Sequence, residues 1–192
     1  IHKDNRWQED KNKISGVRMT KKRDDICIVV QARLGSQRVP GKMLRPFSGT
    51  TLVDIMFEKL KLLKTIPIEQ VYFSAWEPEL KQVAKNHGIN IFHRSMKSAK
   101  SEGQPLTEIY EWHDKLPYKY IILVSACNPL LSVETIDSFV SSFLQSDREG
   151  AFAVFEKKTY YWDKHGNNLT DWGGSTIMNT KFVEPVYEAA HC

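Results

Sequence analysis

Cysteine is scarce in this chain of 192 residues, with three copies, Cys27, Cys127 and Cys192. They form no C-x-x-C pair and are odd in number, which argues against a disulfide framework and points to a reduced, cytoplasmic protein. The histidines show neither H-x-x-x-H nor H-E-x-x-H spacing, so a structural zinc site is not expected. Long hydrophobic runs are missing as well. The longest, such as Ile26 to Val30 and Ile121 to Val124, fall far below the roughly 18 residues a membrane-spanning helix needs, and no membrane partner is expected. An excess of one charge is also lacking in the body of the chain. Of the net +4, residues 1–25 carry +3 (eight Lys/Arg against five Asp/Glu), and residues 26–192 carry only +1. That balance disfavours a nucleic-acid partner.

What is present is the mixture of an ordinary globular protein, 41% hydrophobic and 26% charged. Residues 1–25 read as a polar leading segment or linker without the apolar stretch of a secretory signal. Residues 26–192 read as a single domain, expected to be a fragment cut at its C-terminus. From Ile26 onward, runs of β-branched and aliphatic residues alternate with segments of helical period, the rhythm of βα units around a parallel sheet. Strands are expected at Ile26 to Val30, Val71 to Ser74, Ile89 to Phe92, Tyr120 to Val124 and Ala151 to Phe155. Helices are expected at Thr51 to Lys64 (buried face Leu52, Ile55, Met56, Leu60 and Leu63), Glu79 to His87 closed by Gly88, Pro105 to Trp112, and Val133 to Leu144. Tyr160 to Leu169, with a turn at His165-Gly166-Asn167-Asn168, reads as a hairpin projecting from the sheet.

The informative stretch follows the first strand: Gln31-Ala32-Arg33-Leu34-Gly35-Ser36-Gln37-Arg38-Val39-Pro40-Gly41-Lys42-Met43-Leu44. A loop at the carboxyl end of a parallel strand lies on the ligand-binding edge of such sheets. Between Ile26 and Val53 there are four cations, Arg33, Arg38, Lys42 and Arg45, and no carboxylate. Glycines that let backbone N–H groups approach, next to guanidinium and ammonium groups, suit a polyphosphate. The spacing is neither a Walker A pattern nor G-x-G-x-x-G. A cationic surface loop with glycines serving only its turns is the plainer alternative.

The A-R-x-G-S-x-R-x-P-x-K spacing of this loop resembles the opening signature of sugar-activating cytidylyltransferases, the group holding CMP-sialic acid (acylneuraminate), CMP-Kdo and spore-coat polysaccharide synthetases. Phe73-Ser74-Ala75-Trp76, His93-Arg94-Ser95 and Ser125-Ala126-Cys127-Asn128-Pro129-Leu130-Leu131 are similar to later segments of that family, and the likeness runs from about residue 26 to 182. The resemblance implies a Rossmann-like three-layer nucleotidyltransferase fold with a mainly parallel central sheet and a projecting β-hairpin arm. It also implies transfer of CMP from CTP to an acidic, sialic-acid-like sugar with release of pyrophosphate, as in polysaccharide biosynthesis.

Carried over residue by residue, Gln31, Ala32, Arg33, Gly35, Ser36, Gln37, Arg38 and Lys42 would line the CTP site, with Arg33 and Lys42 holding the triphosphate as the catalytic pair. Arg94 and Gln104 would lie near the cytidine and ribose, and Ser125, Asn128 and Pro129 between nucleotide and sugar. Magnesium is the implied cofactor and a homodimer the implied assembly, with the arm around Tyr160, Tyr161 and Trp162 reaching the partner. One departure stands out: Ala126-Cys127-Asn128 supplies no carboxylate where the Kdo and spore-coat branches carry an aspartate, which brings the chain nearer to the sialic-acid branch. No Asp motif follows Glu184-Pro185-Val186-Tyr187-Glu188, so the metal ligands are unassigned, as is the general base. His93 and His113 are expected to be structural, and Asp163 and Asp171 to be turn carboxylates rather than ligands. A non-catalytic nucleotide- or sugar-binding domain of a larger protein is the rival reading.

Overall fold

The computed structural model describes residues 21–100, 104–170 and 179–190. Its centre is a parallel sheet of four strands: β1 (Ile26–Gln31), β2 (Val71–Ala75), β3 (Asn90–His93) and β4 (Tyr120–Ser125), in the order β3-β2-β1-β4. β1 is central because its residues can be buried on both faces, and Ile26 to Val30 are all fully buried. It pairs in parallel with β2 (Ile28 opposite Val71) and with β4 (Ile26 opposite Tyr120).

Helices α1 (Leu52–Lys61), α2 (Pro78–His87) and α5 (Val133–Gln145) pack on one face. Short helices α3 (Met96–Ala99) and α4 (Leu106–Ile109) lie between β3 and β4 in the chain. Thr51 starts α1 by accepting the Asp54 N–H at 3.2 Å, and α2 begins with Pro78 and ends at Gly88, which takes φ +70°. The buried face of α1 is Val53, Met56, Phe57 and Leu60. The expected Leu52, Ile55 and Leu63 are only half-buried, because the helix is rotated to set the Phe57 ring edge-on to Phe73 of β2 at 4.9 Å.

The second face of the sheet is covered differently. Cys27 and Val29 meet Trp112, with Tyr72, Phe92, Tyr110, Leu116, Tyr118 and Ile121 around them. The helix expected over Pro105 to Trp112 stops at Ile109, since Tyr110 leaves helical geometry (φ −106°, ψ 45°) and the chain turns. That turn brings Trp112 beneath β1, where a continued helix would have carried it along the helix axis. The third layer is therefore thin. Burial pushes the Cys27 thiol up to about 12, so it behaves as a small apolar side chain.

β5 (Val154–Lys157) does not join the parallel sheet as expected for Ala151 to Phe155. It pairs antiparallel with β6 (Val186–Ala189) in a separate two-stranded sheet whose residues are all exposed. Lys157 bonds to Glu188 across the pair at 3.3 Å. The hairpin expected at Tyr160 to Leu169 contracts to a single bridge, Trp162 to Asn168, around a tight turn with Gly166 at φ +84°. Lys21, in the polar leading segment, packs on the body of the protein: its ammonium donates to the Ser146 carbonyl at 2.6 Å and sits 4.7 Å from the centre of the Phe143 ring.

Candidate active site at the switch point of the sheet

The chain runs from β1 outward to β2 and β3 on one side, then returns to β4 on the other. The crevice between the carboxyl ends of β1 and β4 is thus the topological switch point, where open α/β sheets bind ligands. Gln31 stands there in register with Ser125 on β4 and with Ser74 on β2. The first residue of the signature loop and the first of the strand-four turn are therefore neighbours, though 94 positions apart in the chain.

The Gln31 side chain is fixed from behind. Its Oε1 accepts the Trp112 indole N–H at 2.7 Å and the Ser74 hydroxyl at 3.4 Å, so the amide N–H groups remain its donors. Ala32 is buried, and its N–H extends the ladder to the Ser74 carbonyl at 3.1 Å. Beyond it the loop folds on Leu34. The Leu34 carbonyl accepts from Ser36 N–H at 2.8 Å and Gly41 N–H at 3.2 Å, and its own N–H donates to Glu77 Oε1 at 2.7 Å. Gly41 takes φ +63°, and its carbonyl accepts from Leu44 and Arg45, closing the turn that carries Lys42. Met43 tucks into the core, so Lys42 is presented from an anchored neighbour. Gly35, Gln37 and Arg38 are exposed, while Lys42 and Ser36 are half-buried.

Arg33 donates to the Lys100 carbonyl at 2.8 Å. Arg94, at the end of β3, is 4% exposed and donates through Nε to Ser98 Oγ at 2.8 Å and through Nη2 to the Ser98 carbonyl. Burial lowers the Arg94 pKa and the Arg33 charge adds to that effect, whereas Glu77 and Glu111 oppose it. The loop arginine and the β3 arginine are thus electrostatic neighbours. Burial works against the charge of Glu111, but the N–H of Ser95 and the ammonium of Lys115 outweigh it and hold this carboxyl below its usual range. Gln104 is half-buried just ahead of α4.

On the other side of the crevice, Ser125 Oγ accepts the Cys127 N–H at 3.2 Å, and the Asn128 carbonyl accepts the Leu131 N–H at 3.1 Å. The Pro129 carbonyl is capped by the Lys59 ammonium from α1. Burial lowers the pKa of Lys59. His93 and His113 are exposed and stand apart from the crevice residues in the hydrogen-bond network. Asp163 binds its own turn: its Oδ1 accepts from His165 N–H and Asn167 N–H, each at 2.8 Å. The Asn167 side chain is the foremost cause of its lowered pKa. Asp171 lies outside the described residues.

Glu77, Trp112, Ser74 and Lys59 were not picked out by sequence reasoning. Glu77 precedes Pro78 and reads as a helix start, and Trp112 falls within a helical period; only three-dimensional placement gives them contact with the signature loop. A hollow of about 440 Å³ lies along the outer edge of β4, lined by side chains including Ile122, Val124, Leu131, Phe139 and Phe143, and none of the signature residues borders it.

Among the described residues, no group of three or more His, Cys, Asp or Glu side chains could hold a metal ion. The strand-four turn supplies no carboxylate, and of the two Glu77 oxygens one is engaged by Leu34 while the other is buried. No carboxylate set for a resident magnesium ion is assigned among the described residues.

A parallel sheet carrying a cationic, glycine-bearing loop at its switch point is an α/β arrangement suited to phosphate-bearing ligands. The sequence profile of the cytidylyltransferase family matches residues 26–182, and the chain belongs to that family. It is similar to the 3-deoxy-manno-octulosonate cytidylyltransferase 2 of Hydrogenovibrio crunogenus, 26% identical over 127 residues, covering 66% of this chain and 50% of that protein. It is 25% identical over 121 residues to the spore coat polysaccharide biosynthesis protein SpsF of Bacillus subtilis, covering 62% of this chain and 50% of the relative. A cytidylyltransferase structure from Leptospira borgpetersenii superposes with a TM-score of 0.52 at 27% identity, over 62% of this chain and 49% of the other. The chain spans about half the length of the curated relatives it matches.

Proposed function

We propose that the chain carries the nucleotide-binding part of a cytidylyltransferase that moves CMP from CTP to the anomeric hydroxyl of an acidic sugar, releasing pyrophosphate. The observation that carries this reading is the juxtaposition at the switch point: the cationic loop starting at Gln31 and the strand-four turn starting at Ser125 flank one crevice. In-line attack on the α-phosphorus asks little covalent work of a protein, so positioning and charge neutralisation supply the rate. Arg33 and Lys42 would balance charge on the departing pyrophosphate, Gln31, Ala32, Gly35, Ser36, Gln37 and Arg38 would line the phosphates and base, and Arg94 and Gln104 would border the nucleoside. Ser125, Asn128 and Pro129 would sit between nucleotide and sugar. Magnesium enters this reading on the phosphates of CTP, as it commonly does in nucleotide enzymes, and no step is assigned to it.

The acidic sugar is of the 3-deoxy keto-acid type. The carboxylate-free strand-four turn favours a sialic-acid-like member, whereas two of the matched relatives are named for 3-deoxy-manno-octulosonate. A homodimer, docked through the aromatic segment Tyr160 to Trp162, belongs to the same proposal. Pyrophosphate release from CTP, followed with a panel of sugar acids and neutral sugars, tests it. Release that depends on an acidic sugar supports the enzyme; tight CTP binding with no release under any sugar leaves the binding domain.

A further inference from the structure

Glu77 occupies the N-cap of α2, where a short polar side chain ordinarily accepts an N–H of its own helix. It makes no such bond. Its carboxylate turns instead to the loop that follows β1, 43 residues earlier, and accepts the Leu34 N–H at 2.7 Å. The second oxygen, Oε2, is buried and has no hydrogen-bond partner among the described residues. A buried carboxylate oxygen left in this condition is costly and calls for a reason.

The oxygen that is bonded, Oε1, acts through Leu34. With its N–H held by Glu77, its carbonyl accepts from both Ser36 and Gly41, and the Gly41 carbonyl in turn accepts from Leu44 and Arg45. One acceptor from the β2–α2 connection thereby fixes the backbone N–H of Leu34, the residue whose carbonyl closes the turn through Ser36 and Gly41. The loop holds four cations and no acid between Ile26 and Val53, so its own sequence offers no carboxylate acceptor to the Leu34 N–H. Glu77 also bears electrostatically on Arg94, the cation that β3 brings beside Arg33.

We propose that Glu77 is the positioning residue of the nucleotide site: its carboxylate oxygen preorganises the signature loop by fixing Leu34, and the loop meets the phosphates of CTP already folded. This rests on the function proposed above for its ligand, but its structural half stands without it. The acceptor geometry, rather than the charge, carries the effect, because Oε1 makes the one bond to the loop.

The test compares Glu77→Ala and Glu77→Gln with the unaltered chain. Titration calorimetry with CTP is expected to show at least tenfold weaker binding for Glu77→Ala and no more than about threefold for Glu77→Gln, whose amide oxygen still accepts. Hydrogen exchange without nucleotide is expected to speed the Leu34, Ser36 and Gly41 amides at least tenfold in Glu77→Ala. It should leave those of Val29 and Phe73 unchanged in both variants, which also shows that both are folded. Equal CTP affinity in Glu77→Ala and the unaltered chain, or equal losses in Ala and Gln variants, overturns the proposal. If the unaltered chain binds no CTP, the functional reading fails, and the exchange rates alone decide the role of Glu77: unchanged loop amides in Glu77→Ala refute it.

Discussion

The parallel sheet and the β5–β6 pair use similar apolar residues to opposite ends. In the first, Ile26 to Val30 are fully buried between two neighbouring strands and two packed faces. In the second, Phe155 is 57% exposed, Tyr187 55%, and every strand residue faces solvent. Hydrophobicity alone does not make a core strand: enclosure does, and an isolated two-stranded ribbon has little stability of its own in water. The sheet gives the signature loop a rigid base, whereas the ribbon and the neighbouring Tyr160–Trp162 segment offer surface for something else to cover.

The widest separation between the two regions is expected from truncating one aromatic in each. Phe57→Ala removes a fully buried ring packed on Phe73 and should cost about 3–5 kcal/mol of unfolding free energy. Phe155→Ala should stay within about 0.5 kcal/mol. Urea unfolding measures both, and comparable losses would mean that the ribbon is part of the cooperative unit.

A smaller effect is expected at the site. Lys42→Ala should weaken CTP binding by roughly 1.5–3 kcal/mol while affecting CMP less, since a charge-assisted bond to the distal phosphates is lost. Arg45→Ala should change either by less. Unchanged relative affinity for CTP and CMP in Lys42→Ala would show that the loop does not read the phosphate tail.

Next comes the junction of α5 with the loop between α1 and β2. Asp137 accepts the Thr65 hydroxyl at 2.5 Å and the backbone N–H groups of Lys64 and Thr65 at 3.2 and 3.0 Å. Burial opposes its charge, but these bonds outweigh that and lower its pKa below the usual 3.8. Asp54 behaves alike, burial being outweighed by Thr51 and by His87, whose Nε2 lies 2.8 Å away. Both carboxylates have folded pKa values below their unfolded ones. Their contribution is complete above about pH 4–5, declines as the unfolded chain begins to bind protons more readily, and is gone once the folded carboxyls protonate as well. Asp137→Ala should lower stability at pH 7 by about 1–2 kcal/mol and flatten the acid limb of the stability–pH curve. An unaltered acid limb would detach Asp137 from the fold's acid sensitivity.

The smallest expected effect on folding, yet the sharpest on assembly, comes from Tyr161→Asp/Trp162→Asp. Trp162 is 48% exposed, and its ring lies 6.0 Å from that of Tyr160. Light scattering should show a dimer for the unaltered chain and a monomer for the variant. A monomeric unaltered chain, or a variant that stays dimeric, would mean that these aromatics serve their own chain.

The same contrast governs how much was legible in the sequence. The four parallel strands, the helices α1, α2 and α5, and the Gly88 stop were readable because burial on both faces, or along one stripe, imposes a pattern on consecutive residues. The pairing of Val154–Lys157 with Val186–Ala189 was not, since nothing local to either segment names a partner some thirty residues away. Phe57 took the core position expected of Ile55 through contact with β2, and Trp112 left its helix to meet Gln31. At the site, the loop's charge and glycines announced a polyanion, and the switch point brought Ser125 alongside. Glu77 was silent because a carboxylate ahead of Pro78 looks like any helix start.

The most direct measurement is calorimetric titration of the chain with CTP, UTP, ATP and GTP in the presence of magnesium. CTP should bind more tightly than ATP and GTP, and Lys42→Ala should weaken the binding of CTP more than that of CMP. Equal affinity for all four nucleotides would leave a generic phosphate loop and contradict a cytidine site at the crevice between β1 and β4.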